Sequence, residues 1–467
     1  MMQRIAVLTA AVMIFTGPPV RAQAQATGSR AGRDGQPIVL HAARLFEVLP
    51  GRIVSPGEVL VQGGRIVAVG TSVPRPAGAR VIDLGDRTLM PGLIDAHVHL
   101  FLHPEPPSEG MQTVEESVPE RTIEATLAAE ADLMAGFTSE RDMGTEGAGS
   151  ADAAVRKAIN TGLVPGPRMQ ISGNAISILG GHEDAIGFNP EQHVLGNADY
   201  AENTDQLIET LRKQHKDGAT FAKIYVTGSD AMVSHGSAPC LGDPICAQLG
   251  MGEKGDSAFW DFHTPYQYTE PELQAAVTEA ARLGENVGVH GQGEPAARFA
   301  VQAGVASVDH ATQLSDGTMA MMKAKGIPAV PTFTIFEYFA DHAANAAAAA
   351  REHAMLDYKI HEFKRQVAAG VPMGVGTDVG PFPHGTQARE FELMVKFGMT
   401  PQAVLEADYV NDPKILMSQN QVGQLKPGFF ADVIAVPGNP LQDITALEHV
   451  QFVMKGGIVY KEETTPK

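Results

Sequence analysis

The chain has 467 residues, with 54 Asp and Glu against 35 Lys and Arg, a formal charge of −19. Its 44% hydrophobic and 19% charged content is that of a packed globular protein and excludes a disordered, collagen-like or polytopic membrane chain. The acidic balance argues against a nucleic-acid partner, because a phosphate-binding surface needs clustered Lys and Arg.

The first residues, MMQRIAVLTAAVMIFTGPPVRAQAQA, place Arg4 ahead of an apolar stretch over 5–15. Small residues at Ala22, Ala24 and Ala26 follow. This predicts a secretory signal peptide over residues 1–24, with an apolar run too short to cross a bilayer. No second long apolar run follows, so the expected mature chain is free of the membrane, in an oxidising compartment such as a bacterial periplasm. There, Cys240 and Cys246, the two cysteines of the chain, are expected to form a disulfide closing a small loop. Two free thiols are the alternative; a C-x5-C pair matches zinc-ligand spacing poorly.

Residues 37–86 alternate apolar runs with tight turns, and Gly63-Gly64 between VLVQ and RIVAVG reads as a two-residue hairpin turn. Residues 421–463 repeat the style, with Gly456-Gly457 at a turn. Neither piece is long enough to bury a core alone, so the two are expected to pair into one small β-sandwich domain built from both chain ends. Over 87–420 short apolar strands alternate with amphipathic or Ala-rich helices, which fits a (β/α)8 barrel or an open doubly wound sheet, in either case an α/β fold. The alanine run at 343–350 is expected to be helical.

The chemistry lies at the ends of the predicted strands. His97 and His99 are two apart in GLIDAHVHL and project from one face. Three later strands each end on one polar residue: His290 in GVHG, His310 in VDHA and Asp378 in GTDVG. A barrel gathers its strand C-termini at one mouth, where four imidazoles and a carboxylate suit Zn²⁺ or a similar divalent ion. Lys223, in AKIYVTG, lies on a strand between these; as an ammonium it would repel a metal, whereas a carbamate formed from CO2 could bridge two cations.

With MPGLIDAHVHL, AGFTSERDMG, ISGN, GGH, AKIYVTG, the lone histidines of the next two strands, GVGTD and KPGFFADVIAV in place, the chain resembles the amidohydrolase superfamily. The resemblance covers nearly all of the mature chain. It is similar, more narrowly, to the imidazolonepropionase-like branch with Xaa-Pro dipeptidases and ochratoxin-degrading amidases. The resemblance implies a (β/α)8 TIM barrel, two divalent metal ions (zinc the expected metal) and a carboxylated Lys223. By the same resemblance His97, His99 and Asp378 hold one metal, His290 and His310 the second, and Lys223 bridges both. It further implies hydrolysis of an amide or peptide bond by metal-activated water, with Asp378 taking the proton from that water and passing it to the leaving amine.

Substrate contacts are read less directly. Tyr225, two after Lys223, faces the same side of its strand, and by resemblance it binds the substrate carbonyl or carboxylate; a core tyrosine is the other reading. His182, after Gly180-Gly181, is a candidate oxyanion or carboxylate partner or else an exposed loop residue. His235 and His384 fall just after strands and are expected to line the mouth. Relatives commonly carry H-A-H where this chain has His290-Gly291-Gln292, which passes any role of the second imidazole to Gln292. The segment 228–268, with Trp260 and both cysteines, is long for a mouth loop and should shape the pocket.

The expected activity is therefore that of a secreted, homo-oligomeric hydrolase of small carboxylate-bearing amides: dipeptides, N-acyl amino acids or ochratoxin-like compounds. A cyclic amidase or lactonase on the same metals is the alternative enzyme. A metal-holding binding protein without turnover is the alternative of a different class.

Overall fold

The computed structural model describes residues 35–106, 109–184, 189, 191–228 and 266–463. The expected signal peptide, the Cys240–Cys246 pair, His235 and Trp260 lie outside the described residues.

Seven strands open the described chain: β1 (Ile38–Ala42), β2 (Arg44–Glu47), β3 (Arg52–Val54), β4 (Gly57–Gln62), β5 (Arg65–Gly70), β6 (Arg80–Asp83) and β7 (Arg87–Pro91). Gly63 and Gly64, at φ 58° and 78°, turn β4 into β5 and set Gln62 against Arg65. Two positive φ values are what a tight hairpin needs to follow the twist of its strands. After β8 (Leu93–Val98) come β9 (Phe137–Asp142), β10 (Arg168–Ile171), β11 (Ala175–Ser177), β12 (Ala198–Tyr200), β13 (Ala222–Tyr225), β14 (Val287–Gln292), β15 (Ser307–Thr312) and β16 (Ala329–Val330). The chain ends with β17 (Val433–Pro437), β18 (Phe452–Lys455) and β19 (Ile458–Glu462).

The two chain ends share a sheet, in the order β19-β18-β17-β7-β2-β3, with β17 antiparallel to β7 from Val433↔Pro91 to Pro437↔Arg87. A second sheet, β5-β4-β1-β6, packs with it: Ile38, Leu40, Val59 and Val61 share a buried core with Val433, Phe452 and Met454.

The middle of the chain makes two parallel sheets, β10-β9-β8 and β12-β11-β13-β14-β15-β16. Most of their strands are buried on both faces, as parallel sheets covered by helices are. The helices are bounded as their sequences dictate. Ser117 and Glu120 form a capping box on Val118–Ala135, Thr269 and Glu272 form another on Glu270–Leu283, and Gly136 and Gly284 end both in the left-handed conformation. Asn345 caps a helix over Ala346–Ala369 that takes in most of the alanine run.

The expected barrel does not appear as a continuous closed ladder. Residues 373–379, read as a strand, make isolated parallel bridges, Met373 to Ala329 and Val379 to Val98, which join the six- and three-stranded sheets. The reason is local: Gly374 and Gly376 are pressed so closely by Asp412, Val330 and His97 that a Cβ would meet atoms at 2.5 Å, and Asp378 turns to φ 63°. Such a segment bends too sharply to extend a regular ladder. The segment read as a strand over IPAVPTF contributes only Ala329–Val330, and Phe333 already begins a helix. No helix among the described residues is long and apolar enough to cross a membrane.

Candidate active site

His97 is the penultimate residue of β8 and His99 follows the strand directly; both are buried. Their Nε2 atoms lie 3.2 Å apart, and each lies 3.2 Å from the same oxygen, Asp378 Oδ1. Each ring is held from behind. His97 Nδ1 is 3.1 Å from Asp309 Oδ2, and His99 Nδ1 is 2.9 Å from Glu146 Oε1. A carboxylate or carbonyl oxygen accepts, and His99 Nδ1 also faces the Gly144 carbonyl at 3.4 Å, so Nδ1 of each ring carries a proton and, in the neutral ring, Nε2 presents a lone pair.

Two such nitrogens and a carboxylate oxygen at these separations repel one another unless a positive charge lies among them. That donor set is one that Zn²⁺ and similar ions take, so the residues fit a divalent cation. The electrostatics agree. Burial works against a charge on His99, but the Asp378 and Glu146 carboxylates raise its pKa well above the usual value, so without a metal a proton takes that place. Burial works to raise Asp378, yet the facing His97 and His99, with His310 beyond, hold it well below the carboxylate range.

Lys223, Tyr225, His290, His310, His182 and Gln292 open on the same cavity. His290, level with Tyr225 across β13 and β14, has its ring 4.4 Å from that of His310, and His310 lies 5.0 Å from His97. Burial pushes the pKa values of His290 and His310 well down and leaves both neutral with lone pairs to give. His310 sits at φ 64°, and Lys359 of Ala346–Ala369 supports that turn by donating to its carbonyl at 2.9 Å. Lys223, buried in β13, has its amine pKa lowered by burial, only partly offset by Asp309. The His182 ring stacks on Tyr225 at 4.3 Å and lies 4.2 Å from His290. Gln292 lines the cavity with its backbone tied to Thr227 Oγ1 at 3.2 Å. Leu102, Phe336, Phe339 and Met355 form an apolar wall.

His384 stands apart. Its Nδ1 lies 2.7 Å from Asp132 Oδ2 on Val118–Ala135, and it does not line the cavity. The expectation of a mouth position failed because a histidine just after a strand end was close enough to a buried helix carboxylate to turn toward it.

Reading the sequence missed Glu146, Asp309 and Thr332, and also Glu183, which lines the cavity with Oε1 3.4 Å from His182 Nε2. Asp309 has an adjacent signal, since it precedes His310. Strand alternation sends neighbours to opposite faces, but the left-handed φ of His310 breaks the alternation and brings both toward the site. Thr332 Oγ1 lies 2.9 Å from His310 Nδ1.

Comparison with known proteins places this geometry in context. The sequence profile described as the Amidohydrolase family matches residues 88–232 and 248–460. Ochratoxinase of Aspergillus niger is 29% identical over 401 residues, 80% of this chain and 75% of that protein. Imidazolonepropionase of Streptomyces avermitilis is 24% identical over 435 residues, 88% of this chain and 85% of that protein. The crystal structure of a Xaa-Pro dipeptidase with methionine bound in its active site superposes with a TM-score of 0.78 at 27% identity, covering 91% of this chain and 100% of that one.

Proposed function

Because the chain belongs to the amidohydrolase family, in the branch of imidazolonepropionase, Xaa-Pro dipeptidase and ochratoxinase, and is a hydrolase acting on amide bonds, we propose that it cleaves small carboxylate-bearing amides at a two-metal centre. Dipeptides, N-acyl amino acids and ochratoxin-like amides are the substrate class, in keeping with the names of its relatives. The observation that carries the reading is the meeting of His97 Nε2, His99 Nε2 and Asp378 Oδ1 at mutual distances of 3.2 Å.

His97, His99 and Asp378 would hold one cation, His290 and His310 the second, and Lys223, as its carbamate, would bridge them; its amine is suited to CO2 addition because burial favours the neutral form. Bound divalent cations, zinc in our reading, would supply a water of lowered pKa and polarise the scissile carbonyl. The chain's own groups do the rest. The Asp378 carboxylate, facing His97 Nε2 and His99 Nε2 at the cation position, would accept the proton of the attacking water and return it to the leaving nitrogen. The Tyr225 hydroxyl and the His182 ring stacked on Tyr225 orient the substrate carbonyl or carboxylate. With a formal charge of −19, the chain repels anions at long range, so capture falls to such local donors.

In the same reading, residues 1–24 direct export to a bacterial periplasm, residues 87–420 form the TIM barrel, 37–86 and 421–463 form the β-sandwich domain, and the mature enzyme is a homo-oligomer. The test is a substrate panel on metal-loaded enzyme with metal analysis alongside. Turnover of Xaa-Pro dipeptides or N-acyl amino acids with about two metals per chain is expected. Turnover confined to hydantoins, imidazolones or lactones would favour the cyclic amidase or lactonase, and a metal-loaded chain inert to the whole panel would favour a binding protein.

A further inference from the structure

We propose that the buried pair Arg141–Asp309 is a positioning device for His97, fixing both the backbone and the ring of that residue. The proposal rests on the metal reading of the site above.

Arg141, on β9, is fully buried and holds His97 from two directions. Its Nε donates to the carbonyl of Ala96 at 2.7 Å, directly ahead of His97 in β8. Its Nη2 donates to Asp309 Oδ2 at 2.9 Å and to Ser307 Oγ at 3.0 Å, and Asp309 Oδ2 in turn faces His97 Nδ1 at 3.1 Å. The guanidinium thus locks the strand, locks the carboxylate, and through the carboxylate fixes which ring nitrogen carries the proton. With the proton on Nδ1, Nε2 is left bare toward Asp378.

Two observations point to a role beyond holding the fold together. Burying an ion pair seldom stabilises a protein relative to apolar residues of the same volume, so a buried Arg–Asp pair in line with a site imidazole calls for another reason. The chain also makes room for it, because a Cβ at Gly288 would lie 2.7 Å from Arg141 Nη1. A glycine in the interior of β14 weakens that strand, and the guanidinium occupies the space it leaves. Carboxylate–histidine–metal arrangements tune affinity because the outer group sets tautomer and ring angle. Here the outer group is itself set by an arginine that reaches across from a third strand.

The experiment is Co²⁺ titration of the full chain, read by the visible spectrum and by competition with a chelator, for wild type, Asp309→Asn, Arg141→Lys and Gly288→Ala. Near-ultraviolet circular dichroism reports folding. Asp309→Asn is expected to weaken one Co²⁺ site by about 10- to 100-fold and to alter the visible bands. Arg141→Lys, which keeps the charge but not the two-sided geometry, should weaken the same site less than Asp309→Asn does. Gly288→Ala displaces the guanidinium without removing any charge and should weaken the same site; it carries the test if Asp309→Asn does not fold. Wild-type affinity and spectrum in folded Asp309→Asn or in Gly288→Ala, even with lowered thermal stability, would overturn the positioning role alone. A wild type that binds no Co²⁺ would overturn the metal reading and this proposal together.

Discussion

Asp95 ties the strand that carries His97 to the segment that carries Asp378 through a single residue, Thr377. Asp95 Oδ1 accepts from Thr377 N at 3.1 Å and Oδ2 from Thr377 Oγ1 at 2.6 Å, while Oδ1 also takes His97 N at 3.0 Å. The backbone at His97 and the segment leading to Asp378 are therefore both referenced to one buried carboxyl group, whose pKa burial raises well above the usual range. Replacing Asp95 with Ala strands two backbone amides and a hydroxyl in the interior. The expected cost is about 3 kcal/mol in urea unfolding, together with weaker metal retention on dialysis. A loss below about 0.5 kcal/mol would show that the staple contributes little.

Lys223 offers the sharpest chemical test of the two-metal reading. Lys223→Ala should reduce bound metal from about two to about one per chain, and activity by about a hundredfold or more. Added short carboxylates such as propionate should restore part of both, by taking the place of the bridging anion. Metal analysis and kcat measured with and without propionate check this. Full metal content in the variant would argue against a bridging lysine.

Tyr225→Phe removes a hydroxyl and leaves the ring that stacks on His182. If the hydroxyl holds the reacting carbonyl, kcat/KM on a preferred dipeptide should fall by about 10² or more. If it holds a terminal carboxylate, KM should rise with kcat little changed. Steady-state kinetics on a free-acid substrate and its amide separate the two, and no change in either would return Tyr225 to the core.

Glu390, which does not line the cavity, provides a separate pH signature. Burial raises its carboxyl from 4.5 to about 7, against bonds from Thr334 and the Phe333 amide. A carboxyl raised in the folded state contributes stability that is complete below its unfolded pKa and is lost as pH rises through the folded value. The metal-free protein should therefore lose stability between about pH 4.5 and 7 on account of this group. Glu390→Gln should flatten that part of the profile, with a lower value at pH 5 than wild type. Urea unfolding at pH 5 and pH 7.5 measures both; parallel profiles would place the pH dependence elsewhere.

How far the sequence could be read follows from what each residue's neighbours do. His97, His99, His290, His310 and Asp378 sit where apolar runs stop, and that marks a strand end whatever the register. The placement of these five around one cavity was thus legible, as were the glycine hairpins and the pairing of the chain ends. Asp309 was not, because reading alternation through His310 sends it to the wrong face. His384 misled, because its partner Asp132 lies 252 positions away on a helix that the local sequence cannot place beside it. The closed ladder was over-read as well: residues 373–379 look like a strand in composition, but their glycines trade regular pairing for close approach to His97 and Val330.

The pairing of β7 with β17 also has a consequence for synthesis. Pro91 lies opposite Val433, so about 340 residues must leave the ribosome before the partner of that strand exists. At 5–20 residues per second this is a wait of roughly 20 to 70 seconds, during which the early strands stand with an open, aggregation-prone flank. A nascent chain of this design needs the intervening helices and strands to collapse first, or a chaperone to shield the flank until β17 arrives.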